Sequence, residues 1–241
     1  MNKLFFFLFC GLLYPATLLS RDREEQQVNT IIIVTSDPDL KINGGTSLVK
    51  VKIDWGDGSV EELLVSGSRA ASHVFLDQPP PYTVTVTGYL TELRLGFTTK
   101  ENVTSVDARN HTTLNKLDVS RVQLKELKVS GANKLTDLRC NNNQLTSLDL
   151  TGCIALTYLS CTQNQLTALD LTGLNALKEV FCVNNYMSSA ALNQLFHSLN
   201  SSAGIGNKRI HIATNGAPGK PRNAARDCDI SIAKNKGWSV F

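Results

Sequence analysis

The chain has 241 residues, enough to bury a core in one large domain or two small ones, and its apolar fraction of 42% is that of a soluble protein. Its 24 basic and 21 acidic residues leave a formal net charge of +3, with no dense Lys/Arg cluster. That balance lacks the electrostatic footprint of a nucleic-acid binder.

The first element in chain order lies outside the expected fold. The stretch MNKLFFFLFCGLLYPATLLSRDREE has a basic start at Lys3, an apolar run from Leu4 broken by Gly11 and Pro15, and then abrupt charge. This is the build of a secretory signal peptide over residues 1–20, and the run is short for a membrane-spanning helix. Cys10 raises a lipoprotein reading, but Phe9 stands where such a signal carries a small residue. The expectation is an exported chain, secreted or held at the cell surface or in the periplasm, with no membrane span after cleavage. Five cysteines then remain, Cys140, Cys153, Cys161, Cys182 and Cys228, an odd number that cannot pair completely within the chain.

Residues 28–90 are β-rich: NTIIIVTS and SLVKVKIDWGDGS read as strands, and PYTVTVTG alternates strictly. WGDG, Trp55 to Gly58, reads as a tight turn between strands. Asp54 and Asp57 could suggest calcium, but no run of alternating oxygen ligands surrounds them, so no metal is expected. The order of WGDG, His73-x-Phe75 and Tyr82-Thr83-Val84 resembles a PKD (polycystic kidney disease) domain, with its FGDG, H-x-Y and Y-T-V signatures. The resemblance implies a small immunoglobulin-like β unit in which His73 is structural. The unit is either a free domain or the cap of a repeat array, whose end needs a cover.

From Leu93 the chain writes out in rows of 21 residues, starting at Leu93, Leu114, Leu135, Leu156 and Leu177. The first row is worn but keeps Val103, Val106 and Ala108 in register, and the last loses the pattern in its second half. Within a row, Leu138 and Cys140 alternate with polar residues, as in a strand with one buried face. Asn143, Asn164 and Asn185 follow where the chain must turn, and a stacked asparagine side chain can satisfy buried backbone there. The half-row LTSLDLTG alternates again and ends at a glycine, Gly152 or Gly173. The row L-x-x-L-x-C-x-x-N-x-L resembles the leucine-rich repeat, with cysteine where that family carries leucine. It implies a mainly β solenoid of about five turns over residues 91–200.

Stacking decides the chemistry of Cys140, Cys161 and Cys182. Equivalent residues of neighbouring rows lie about 4.8 Å apart with parallel side chains. Their Cβ atoms are then too far apart for a disulfide, which wants roughly 3.8 Å. A metal site wants a tetrahedral cluster, not a line, and Val119 takes the same place one row earlier. The three therefore read as inward-facing thiols. Whether Cys153 and Cys228 pair is open.

Residues 201–241 read as a C-terminal cap. Before it, Ser188 or Ser189 can N-cap a helix carrying Leu192, Leu195, Phe196 and Leu199 on one face. KRIHIAT looks like a strand, and DCDISIAKNKGW like a short helix anchored by Ile230, Ile232 and Trp238. The repeat pattern closed by AKNKGW resembles the C-terminal region of secreted repeat proteins of gut-dwelling Gram-negative bacteria. That implies a surface or interaction role.

No sequence motif for nucleophilic, phosphate-binding or zinc chemistry occurs, so neither enzyme nor cofactor is expected. Of the four histidines, His73 is structural, His197 packs beside an apolar helix face and His211 faces outward from a strand, while His111 has no assigned role. Asn102, Asn110 and Asn200 head N-x-S/T sequons, accidental in a bacterial protein and glycan sites in a eukaryotic one.

What remains is surface. The outward files of the first strand carry Asp118, Arg139, Ser160 and Phe181, then Asn141 and Thr162 with Ser120 and Val183, then Tyr158 and Glu179 with Lys116 and Asp137. The second strand presents Asp107, Lys128, Asp149 and Asp170. Tyr158 and Phe181 beside Arg139 have the composition of a binding spot, unless the C-terminal cap covers them. The expected function is a monomeric, non-catalytic binding protein for a protein or glycan. The alternative is a passive spacer or accessory module of a larger surface assembly.

Overall fold

The computed structural model describes residues 29–37, 39–75, 79–95, 102–109, 111–201, 207–213 and 223–241. Residues 1–20, read above as a signal peptide, with Cys10 among them, and Asn110 lie outside the described residues.

The front of the molecule is built by six strands: β1 (Thr30–Thr35), β2 (Asp39–Ile42), β3 (Val49–Asp54), β4 (Val60–Val65), β5 (Ala71–Val74) and β6 (Tyr82–Gly88). Alternation sets their faces: β6 buries Tyr82, Val84 and Val86, β1 buries Ile31 and Ile33, and β3 buries Val51 and Ile53. β1, β6, β3 and β4 pair antiparallel, in that order. β2 and β5 form a separate two-stranded sheet, giving a sandwich-like arrangement around one shared core.

The WGDG turn is held from within. Gly56 and Gly58 take positive φ, Asp54 Oδ1 accepts from the Gly56 N–H at 3.0 Å, and Asp57 Oδ1 accepts from the Ser59 N–H and hydroxyl at 2.9 and 2.6 Å. Asp57 Oδ2 lies 2.6 Å from His73 Nε2. The Ser59 hydroxyl first, and His73 second, hold the Asp57 carboxyl well below the usual carboxylate range. His73 stacks on Trp55 at 4.8 Å, and Phe75 stacks on Tyr82 at 3.8 Å.

Behind this unit the chain winds into a stack of parallel strands. Its main sheet has seven: β7 (Glu92–Arg94), β9 (Lys116–Asp118), β11 (Asp137–Arg139), β12 (Tyr158–Ser160), β13 (Glu179–Phe181), β14 (Lys208–His211) and β15 (Trp238–Val240). Two strands of a second file, β8 (Val103–Asp107) and β10 (Glu126–Lys128), pair parallel, and Lys128 bridges on to Asp149. The 21-residue register runs through Lys116, Asp137, Tyr158 and Glu179, so the regular solenoid has four turns, not the expected five. The row from Leu93 breaks step because β7 pairs with β9 at a 24-residue interval, Glu92 with Lys116.

The front unit closes the near end of this stack. β8 pairs antiparallel with β1, Ile33 against Val106, so one six-stranded sheet runs from the front unit into the solenoid. Asn43 exchanges backbone hydrogen bonds with Arg94 on β7, at 3.1 and 2.9 Å. Both strand files of the first turn are thus paired with the front unit.

At the far end, α1 (Ser189–Ser198) is N-capped by Ser188, whose Oγ accepts from the Ala191 N–H at 3.1 Å, and it buries Leu192, Leu195 and Phe196. A 3-10 turn (Ala225–Asp227) and α2 (Ser231–Asn235) come next. Trp238 is buried as expected but heads strand β15 instead of ending a helix, and Ile230 is exposed. The last strands extend the sheet instead of lying across it. Among the described residues, no helix is long and apolar enough to cross a membrane.

Candidate functional site

The inside of the stack explains its regularity. Cys140, Cys161 and Cys182 are fully buried, and all five described cysteines are free thiols. Burial pushes the Cys161 thiol up to about 12 and the other two well above the ordinary range. Cys153 donates its thiol to the Val129 carbonyl and Cys228 to the Ala225 carbonyl, so these two do not pair.

Next to each ladder cysteine stands an asparagine rung. Asn164 Nδ2 donates to the carbonyls of Cys140 and Cys161, both at 3.0 Å, while its Oδ1 accepts from the Leu145 N–H at 3.1 Å. Asn185 repeats this with Cys161, Cys182 and Leu166. Asn143 does so with Val119, Cys140 and Leu124, and also takes the Val122 N–H. Each rung therefore ties two consecutive turns and satisfies backbone that water cannot reach.

The structure adds a rung that the sequence pattern misses. Asn223 Nδ2 donates to the carbonyls of Cys182 and Ile212, and its Oδ1 accepts from the Met187 N–H. These are the next equivalents in the series. In the first three rungs the asparagine follows its cysteine by three residues; here eleven residues separate Ile212 from Asn223. No period reveals that.

The outward face of the main sheet divides in two. Its near half is a charge lattice. Glu92 pairs with Arg94 at 3.7 Å and Lys116 at 3.3 Å, and Asp137 pairs with Arg139 at 3.0 Å. Its far half is an aromatic ladder. The Arg139 guanidinium lies 4.8 Å over the Tyr158 ring. Tyr158 meets Phe181 at 5.6 Å, Phe181 stacks on His211 at 4.4 Å, and His211 stacks on Phe241 at 4.8 Å.

Tyr158 and Phe181 are half-buried and outward, each covered by its neighbours in the ladder. His211 and Phe241 belong to the ladder but were not placed there by the 21-residue rows, because the interval lengthens to 30 between Glu179 and Arg209. Asp118 is half-buried, and its Oδ1 accepts from the Ser120 N–H. Asn141 accepts from the Ser120 and Ser160 hydroxyls at 2.9 and 3.4 Å, and Thr162 and Glu179 are half-buried beside the ladder.

Two expected surface positions are corrected. Ser160 is only 8% exposed, because its short side chain stands between those of Arg139 and Phe181 in the same file. Val183 is buried. Asp107, Asp149 and Asp170 are outward but serve their own turns, each accepting from the N–H two residues on.

The remaining polar groups have defined places. His197 is exposed, not packed, whereas His111 is fully buried. Asn200 donates to the Leu174 and Asn175 carbonyls and accepts from Lys208, so its amide is engaged within the fold. Among the described residues, no group of three or more His, Cys, Asp or Glu stands where it could hold a metal ion. The chain matches no family model, no curated protein and no solved structure.

Proposed function

We propose that the chain is a secreted or surface-displayed, non-catalytic binding protein of the leucine-rich-repeat type. Its PKD-like front unit caps the stack, and the outward face of the main sheet holds a protein ligand. The observation that carries this is the ladder Arg139–Tyr158–Phe181–His211–Phe241, which runs across the far half of that face. Aromatic and arginine side chains are the usual anchors of protein interfaces. Phe181 and His211 have ring faces taken by their neighbours, which favours packing against protein side chains along the ladder's flank over stacking of sugar rings on it. A passive spacer is the second reading, and the charge lattice favours it, since its ions compensate one another.

The non-catalytic part of the proposal rests on commitments of the reactive groups. The ladder thiols are buried with raised pKa values, and Asp57 and His73 are spent on one turn. The test is a binding screen of the mature chain against extracellular-matrix proteins and glycans, run beside Tyr158→Ala with Phe181→Ala. A protein ligand should be found and should weaken by more than about 1 kcal/mol while the fold survives. Unchanged binding by the double variant would rule out this face, and absence of any protein ligand would favour the spacer.

A further inference from the structure

We propose a second binding site, on a different sheet from the ladder, for a neutral oligosaccharide. It is the shallow groove on the outer face of the front sheet, with a volume of ≈ 670 Å³. That size falls within the range of small-molecule sites.

The strand register builds its floor. Lys52 on β3 lies between Glu62 on β4 and Thr87 on β6, and Asp54 lies beside Thr85. Outward residues of neighbouring strands thus alternate between donor and acceptor across the groove. Lys50 pairs with Glu62 at 2.6 Å, both being well exposed. Two lysines and two carboxylates leave the groove without net charge. Such a surface has no preference for an ion, but it offers adjacent donors and acceptors to the adjacent hydroxyls of a sugar.

Tyr89 supplies the wall. It is 61% exposed and makes no ring contact among the described residues, unlike Phe181 and His211 in the main-sheet ladder. An exposed aromatic side chain in a groove also lined by threonines and balanced charges suits the apolar face and hydroxyl edge of a pyranose. It suits a protein partner poorly, since the cores of protein interfaces are depleted of charge. The ladder and the groove therefore offer different chemistry on different sheets.

The test is an array of neutral gluco-, manno-, xylo- and N-acetylglucosamine oligosaccharides probed with the mature chain, followed by calorimetric titration of the strongest binder. Binding should fall by roughly tenfold or more in Tyr89→Ala, as for a stacking anchor, and persist in Tyr89→Phe. It should be insensitive to added salt and unchanged by Tyr158→Ala with Phe181→Ala, which separates this site from the ladder. Circular dichroism should show the Tyr89 variants folded, the side chain being exposed. Failure of every neutral glycan to bind overturns the proposal, as does binding that Tyr89→Ala leaves intact. A response confined to sulfated or uronic-acid glycans and lost with salt overturns it equally.

Discussion

The front unit and the repeat stack solve the same problem, burying strands, in opposite ways. The front unit uses each contact once. Trp55, His73, Phe75 and Tyr82 come from separate parts of the chain and meet in one aromatic cluster. The stack uses one local contact repeatedly, as four asparagine rungs each bind consecutive turns. A unique cluster concentrates stability in a few residues, whereas a ladder distributes it among neighbours. The two regions also complete each other: the stack requires a cover at its end, and the strand that covers it, β1, has its own free edge paired by β8 of the stack.

The largest expected effects come from breaking one element of each kind. Trp55→Ala should cost about 3–5 kcal/mol, as for a large buried aromatic. Asn164→Ala strands the Leu145 N–H inside the stack and takes one of two rung donors from each of the Cys140 and Cys161 carbonyls. At about 1–3 kcal/mol for the buried unsatisfied group and about 0.5–1.5 kcal/mol for each lost bond, it should cost about 4 kcal/mol. Asn223→Ala should cost less, about 2 kcal/mol, because this rung lies near the end and its partners relax more easily. Denaturant unfolding of the three variants checks the order. Equal losses at Asn164 and Asn223 would mean that the ladder gains nothing from being continuous.

A somewhat smaller effect tests the seam between the regions. His111 follows β8, the strand shared by both, and is fully buried. Among the described residues neither ring nitrogen has a hydrogen-bond partner. Burial lowers its pKa to about 4; the Gly88 carbonyl opposes this without forming a hydrogen bond. The unfolded chain, titrating near pH 6.5, then binds more protons than the folded one between about pH 6.5 and 4. Stability therefore falls as pH falls through that window, by about 3 kcal/mol in all. Asp57, held low in the folded state, adds a further loss as pH drops below the ordinary carboxylate range. Unfolding titrations of the protein and of His111→Leu should show the slope between pH 6.5 and 4 in the former and a flatter one in the latter. The same slope in both would remove His111 from the account.

The glycine file of the stack gives a paired comparison at lower cost. Gly152 and Gly173 both have φ of +81°, but a Cβ on Gly152 would lie 3.0 Å from the backbone of Gly131, whereas one on Gly173 meets nothing. Gly173→Ala should cost about 1–2 kcal/mol, the price of the left-handed conformation alone. Gly152→Ala should cost about 1 kcal/mol more, from forced separation of the two turns. Thermal melts of the two variants decide it, and equal shifts would show that the stack spreads freely at this point.

Much of the stack was legible because its physics repeats at a fixed interval. The alternation around Leu138 and Cys140, the turn at Asn143 and the inward thiols all follow from stacked rows with one buried face. The outward strand position of His211 was legible too, but its place in the ladder and the rung role of Asn223 were not, because the intervals leading to them differ from 21 and no local signal marks where the chain rejoins the stack. The strands and turn of the front unit were legible too, but the pairing of β1 with β8 was not. That contact joins a run with no repeat partner to the worn row, and only the folded sheet brings them together. For the candidate face, alternation placed Tyr158 and Phe181 outward. It could not show that Ser160 is overshadowed, since relative side-chain length within a file, not periodicity, decides exposure.

The smallest effect runs in the stabilising direction. The described residues of the front unit take positive φ only at glycines, Gly56, Gly58 and Gly88, whereas the stack takes it at Arg121, Gln123, Asn142, Gln163 and Asn184. Arg121, Asn142, Gln163 and Asn184 recur at one place in the row, just before the rung position, so the stack repeats a strained conformation along with its hydrogen bonds. For a residue such as Gln163, with φ of +56°, the strain is about 1–2 kcal/mol. Glycine removes it but adds about 0.5–1 kcal/mol of chain entropy lost on folding. The Gln163 N–H donates to the Val183 carbonyl, and glycine keeps that bond. Gln163→Gly should therefore raise stability by up to about 1 kcal/mol, and Asn142→Gly by less, since asparagine tolerates this region better. Denaturant midpoints at unchanged slope would read the difference. A loss of stability in Gln163→Gly would show that its side chain holds more in place than its backbone conformation costs.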